Sequence, residues 1–202
     1  MPQPRTWTRT ARVLHWTTAG GLAIIVPAGF IMTRTYLAAV RGGPLAWAHI
    51  RASQVHHTLG LLLLVLAIGR LWWRLRHPAP PMPQGTRTIL PRMVQAMLYV
   101  LLLVLPLSGW AALSSLGAAD DYPAPSMWFF THDGFAPGGL IPHLVPPRPW
   151  NDPGLLTYGT FARAHVYLLW AGAGLLCLHV AGGLWHHFVR GDGVLRAMLG
   201  KG

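Results

Sequence analysis

Four stretches of this 202-residue chain are each long and apolar enough to cross a lipid bilayer, and that limits the fold more than anything else in it. A helix needs about 20 mostly apolar residues to span the hydrocarbon core. The qualifying stretches run roughly from Leu14 to Met32, Val55 to Trp73, Met93 to Leu113 and Ala164 to Phe188. In lipid the backbone must satisfy its own hydrogen bonds, so each is expected to be a helix. The composition agrees: 52% of residues are hydrophobic and 10% charged, against roughly a quarter charged in an average soluble domain. The ten Trp residues suit membrane interfaces. The expectation is one all-α domain over residues 1–202, an integral membrane four-helix bundle. Pro27 and Pro106 fall inside the first and third spans and should loosen or kink them. Arg5, Arg9 and Arg12 before the first span give it the look of a secretory signal. The run is longer than a signal core and no A-x-A pattern follows, so it reads as a retained helix.

Charge orients the bundle. The formal net charge is +11, with sixteen Lys and Arg against five acids, all of them Asp. The basic residues flank apolar stretches in short clusters, a pattern of membrane anchoring rather than of a nucleic-acid surface. With the N-terminus inside, the inner segments hold Arg5, Arg9, Arg12, Arg70, Arg74, Arg76, Arg87, Arg92, Arg190, Arg196 and Lys201. The outer segments hold only Arg34, Arg41, Arg51, Arg148 and Arg163, together with Asp120, Asp121, Asp133 and Asp152. That asymmetry places both termini in the cytoplasm.

The segment from about Ser114 to Arg163 differs from the rest. It is rich in Pro and Gly (PAP, APGG, VPPRP), with Trp128, Phe129, Phe130 and Trp150 among them. A loop of this length is usually functional or disordered, and its aromatics suit a cap on the outer helix ends or a place on the membrane surface. The single cysteine, Cys177, excludes an internal disulfide and a zinc-type cysteine cluster, and the lack of CxxCH excludes a covalent c-type haem. Cys177 reads as a small packing residue.

The chemistry lies in the eleven histidines. Ionisable residues within a membrane are costly and mark functional sites. His15 sits at the inner end of span one, and His56 and His57 at the outer start of span two. His165 and His179 lie in span four, with His186 and His187 at its inner end. His165 and His179 are fourteen residues apart, nearly four whole turns, so they share a helix face at levels about 21 Å apart. That spacing suits two stacked haems, each with one axial imidazole from this helix. The second ligands would come from facing helices: His56 opposite His165, and His15 opposite the lower histidine of span four. Counting from the flanking arginines, His186 matches the depth of His15 better than His179 does, unless helix four runs on into the cytoplasm. His49, His77, His132 and His143 read as interfacial or hydrogen-bonded residues. So do His57 and His187, each turned about 100° from a better-placed neighbour. The third span offers Tyr99, Pro106, Ser108 and Gly109 to line the bundle. Arg70 is expected to snorkel to the inner surface; the alternative is a salt bridge to a haem propionate.

The stretches RVLHW at Arg12–Trp16, HHTLG at His56–Gly60, GRLWWRLRHPAPPMP from Gly69, LPLSGW at Leu105–Trp110 and LHVAGGLWHHFVRGDGVLRAM at Leu178–Met198 together resemble the bacterial cytochrome b561 family. The resemblance runs in order along almost the whole chain and lapses only in the long outer loop. It implies an inner-membrane four-helix protein with two haems b that exchanges electrons with quinone. The inner haem's ligands correspond to His15 and His179 and the outer haem's to His56 and His165. One branch resembles a superoxide oxidase, a superoxide:quinone oxidoreductase. The wider family resembles the haem-bearing membrane subunits of nickel hydrogenases and related dehydrogenases.

Three functional readings follow. The first is an autonomous cytochrome moving electrons between an outer donor, superoxide among them, and quinone; Arg51 and Arg163 near the outer haem would attract an anionic donor. The second is a membrane anchor and electron relay for a partner dehydrogenase. The third is a haem-free, histidine-lined ion transporter, which would be colourless.

Overall fold

The computed structural model describes residues 7–77, 89–116, 128–130, 134–135, 139–149 and 152–200. His132, Trp150, Arg5, Arg87, Lys201 and the aspartates Asp120, Asp121 and Asp133 lie outside them, as do residues 78–83 of the family-like stretch after Gly69. Four long helices dominate: α1 (Arg9–Val40), α2 (Ala46–Arg76), α3 (Ile89–Leu116) and α4 (Tyr158–Trp185). A π-helical turn, His186–Arg190, extends α4, and a short α5 (Val194–Leu199) follows. All four long helices have the length and apolarity to cross a membrane.

Each helix outlasts its apolar run. The 32 residues of α1 rise roughly 48 Å at 1.5 Å per residue, against about 30 Å of hydrocarbon. Beyond the lipid a helix needs no apolar side chains, so hydropathy marks the span and not the helix end. Thr8 caps α1 by accepting from the Ala11 N–H at 3.2 Å, and Thr157 caps α4 by accepting from the Thr160 N–H. Such caps satisfy amide groups that have no intrahelical partner. Helices α1 and α2 are joined by residues 41–45 only, a turn tight enough to need Gly42 at φ +65°. Both α1 and α3 continue through their prolines, Pro27 and Pro106.

Packing is pairwise: α1 lies along α2 and α3 along α4, with a shorter α2–α3 contact. Small and medium side chains line the seams, among them Ile25, Ala28, Leu63, Leu64 and Ala67, all buried. Leu62, Val65, Trp72, Met97, Val100 and Leu178 point outward and are exposed, as lipid-facing residues should be. Cys177 is exposed on the same outer surface. This corrects its reading as a packing residue, since beside lipid an apolar side chain gains nothing by turning inward.

The described parts of the segment between α3 and α4 lie as a cap over α2 and α3. Trp128 is 2% exposed, with its ring 5.7 Å from His57 and 5.4 Å from Phe135. The Trp110 indole donates to Pro142 O at 3.0 Å, and the Arg148 N–H donates to Ser115 O at 2.9 Å.

Candidate functional site

The four singled-out histidines meet as two pairs. His15 of α1 faces His179 of α4 with ring centroids 6.1 Å apart. His56 of α2 faces His165 of α4, also at 6.1 Å. Helix α4 thus contributes one histidine to each pair, and the fourteen-residue interval sets the pairs about 21 Å apart along its axis. His186 is not beside His15; its Nδ1 lies 2.6 Å from Asp192 Oδ2. Helix α4 and its π turn continue eleven residues past His179, to Arg190, whereas α1 begins six residues before His15. Counting residues back from arginines therefore misjudged the depth.

The His56–His165 pair is held by backbone. His56 Nδ1 lies 3.0 Å from Ile25 O, and His165 Nδ1 lies 2.9 Å from Leu105 O and 3.0 Å from Ser108 Oγ. A carbonyl only accepts, so in each ring the proton sits on Nδ1 and the Nε2 lone pair is free. This is the arrangement that orients an imidazole as a metal ligand. The His15–His179 pair differs. Arg70 turns inward rather than snorkelling, its guanidinium 2.8 Å from His15 Nδ1 and 5.3 Å above the Tyr99 ring. The donor set suits a haem: each pair brings two imidazoles from facing helices to 6.1 Å between centroids, and imidazole is a ligand that haem iron takes.

The other histidines have local partners. His49 Nδ1 donates to Met32 O at 2.9 Å, and His77 stacks on Trp73 with centroids 3.8 Å apart. His143 holds the cap through Ser114 O and Phe135 O. His57 contacts Trp128, and His187 lies edge-on to Phe188. Among the described residues no three His, Cys, Asp or Glu side chains gather into a closed metal site.

A family model described as prokaryotic cytochrome b561 matches residues 6–201. The chain belongs to that family. It is also 29% identical over 160 residues to cytochrome b561 homolog 2 of Escherichia coli (strain K12), an alignment covering 77% of this chain and 73% of the relative. It is therefore a multi-pass bacterial membrane protein and a b-type cytochrome of electron transfer, from a family that binds haem b.

Proposed function

We propose that this cytochrome, a single membrane domain over residues 1–202, carries two haems b and moves electrons between a donor on the outer side and quinone. His15 and His179 would hold the inner haem, and His56 and His165 the outer one. The observation that carries this reading is the equal 6.1 Å separation of the two histidine pairs on a shared α4. When bound, haem b would supply reversible one-electron exchange. The chain's own residues do the rest. Ile25 O and Leu105 O fix the tautomers of the outer imidazoles and raise their basicity as ligands. The apolar helix faces keep water from the pairs. The cationic asymmetry supports both termini lying in the cytoplasm, which makes the His56–His165 end the outer one. Quinone, a lipid-soluble acceptor, is the partner implied by the family resemblance. Superoxide is an outer donor that Arg51 and Arg163 suit; both are exposed, five and two residues before His56 and His165.

A second reading, the anchor and relay of a partner dehydrogenase or hydrogenase, is favoured by the cap. Phe129, Phe130, Leu140 and Leu155 are exposed apolar residues there, and exposed apolar patches mark interaction sites. Pyridine haemochrome quantitation tests the core claim: two haems b per chain are expected, and a colourless protein would refute it. Replacing His56 or His165 with Ala should remove one haem and leave the other. Turnover of superoxide with quinone by the isolated protein then separates the two readings, since an anchor needs its partner.

A further inference from the structure

Two glycines sit where the outer histidines touch neighbouring helices. A Cβ on Gly29 of α1 would lie 2.9 Å from both Cε1 and Nδ1 of His56. A Cβ on Gly109 of α3 would lie 3.2 Å from Cε1 and 3.3 Å from Nδ1 of His165. Real side chains essentially never approach to the first distance and seldom to the second.

The same geometry recurs on both helices. His56 Nδ1 donates to Ile25 O and His165 Nδ1 to Leu105 O, and each acceptor lies four residues before the glycine. In an α-helix that carbonyl already accepts the N–H of residue i+4, here the glycine itself. The Cβ of residue i+4 leans toward the helix N-terminus, over the carbonyl of residue i. Removing it lets an imidazole lie against the turn and reach the second lone pair of the same oxygen.

His49 supplies an internal comparison. It stands seven residues before His56 and donates to Met32 O, seven residues after Ile25. The residue at i+4 there is Tyr36, which has a Cβ, and the ring of His49 lies 5.8 Å from the Tyr36 ring. The bond alone thus does not require glycine. His49 Nε2, however, turns to Ser53 Oγ at 3.5 Å and meets no facing histidine among the described residues. Among these three rings the notch accompanies His56 and His165, which face each other, and not His49.

We propose that Gly29 and Gly109 are positioning residues for the outer haem: their missing Cβ atoms set the approach of His56 and His165 so that each Nε2 can serve as an axial ligand. This rests on the dihaem reading above. It implies that the two haem sites respond differently to the smallest change in side chain.

Gly29→Ala and Gly109→Ala, made in the full-length protein, test it. Gly174→Ala is the control, because Gly174 is exposed with nothing near its Cβ position and lies on the side of α4 away from both histidines. Alanine favours helix over glycine, so helix propensity cannot explain a defect. The expected result is loss of one of the two haems. If both are retained, one low-spin ferric EPR signal and one midpoint potential shift while the other haem is unchanged, with Gly29→Ala the stronger. Wild-type stoichiometry, EPR and midpoints in both variants would overturn the proposal, as would equal disturbance of both haems. If Gly29→Ala fails to accumulate, Gly109→Ala, with its looser contact, decides alone. A wild-type protein without haem would instead refute the dihaem reading, before any variant is made.

Discussion

Arg70 donates to His15 Nδ1 across 2.8 Å, so the two histidine pairs are oriented by opposite kinds of group. A guanidinium has donors only; His15 Nδ1 must accept, and its proton sits on Nε2. The outer rings have the reverse tautomer, set by carbonyls. Holding iron through Nε2 of His15 therefore requires this contact to rearrange, while Arg70 remains a cation beside the inner site. A positive charge favours the reduced, less positive iron. Replacing Arg70 with Gln is expected to lower the midpoint of one haem by several tens of mV, because a unit charge within roughly 8–16 Å at an effective dielectric of 20 is worth about 1–2 kcal/mol. A redox titration in which neither midpoint moves would show that Arg70 does not tune the site.

The inner end of α4 carries a second ionic arrangement. Asp192 accepts from His186 Nδ1 at 2.6 Å and pairs with Arg190 at 3.4 Å, and its N–H donates to His186 O. The carboxylate is 11% exposed, and Gly191 and Gly193 adopt positive φ on either side of it. It thus closes the π turn and starts the short α5, whose Met198 O accepts from the Trp16 indole of α1. Asp192→Ala leaves a nearly buried imidazole without its acceptor, a loss of about 1–3 kcal/mol. The melting temperature of the detergent-solubilised protein should fall; an unchanged value would mean that solvent replaces Asp192 at no cost.

The sequence revealed the number and place of the spans because lipid enforces apolarity over a fixed thickness. It left the helix ends unread. Thr33, Arg34, Thr35 and Tyr36 are polar or amphipathic and still helical in α1, since outside the hydrocarbon only the backbone pattern matters. The RGGP stretch at Arg41–Pro44 held the signal for the tight turn that follows. That His15, His56 and His165 would find histidine partners was legible from their depths in the spans, yet the choice between His179 and His186 was not, because residue counts do not show how far one helix outruns another. The acceptors Ile25 O and Leu105 O were invisible, as a backbone carbonyl carries no residue identity. Gly29 and Gly109 left a fainter trace: each follows a helix proline by two or three residues, a pairing unusual enough in a span to question.

The outer cap turns on Trp128, which is nearly fully buried among His57, Phe135 and Ile141. Gly134 lets this cluster close, since a Cβ there would lie 2.6 Å from Ile141 Cδ1 and 3.1 Å from the Trp128 ring. Trp128→Ala removes the largest side chain of the cluster, a change that costs about 3–5 kcal/mol in a packed core. The four long helices do not depend on it. Limited proteolysis should therefore cut the outer segment faster while helix content by circular dichroism stays the same. Equal cleavage rates would show that the cap is held by its other contacts, among them Trp110–Pro142, His143–Ser114 and Arg148–Ser115.

Asp152 gives the approach to α4 an acid limit. Its carboxylate accepts from the Gly154 N–H at 2.6 Å and from Arg148 at 3.2 Å. The Gly154 hydrogen bond foremost, then the bond to Arg148, hold its pKa below the ordinary 3.8. A depressed carboxylate pKa contributes stability that is fully present above the ordinary value and is lost as pH falls through the lower, folded one. The turn should therefore be insensitive to pH from neutrality down to about 4 and open only below that. The group lies at the surface and is partly exposed, so the effect is local and screened by salt. Hydrogen exchange at the Gly154 amide measures it. Asp152→Asn keeps an acceptor for that amide but loses the charge facing Arg148, and should exchange faster than wild type at pH 7. A wild-type transition above pH 5 that Asp152→Asn abolishes would mean that the carboxylate is destabilised in place.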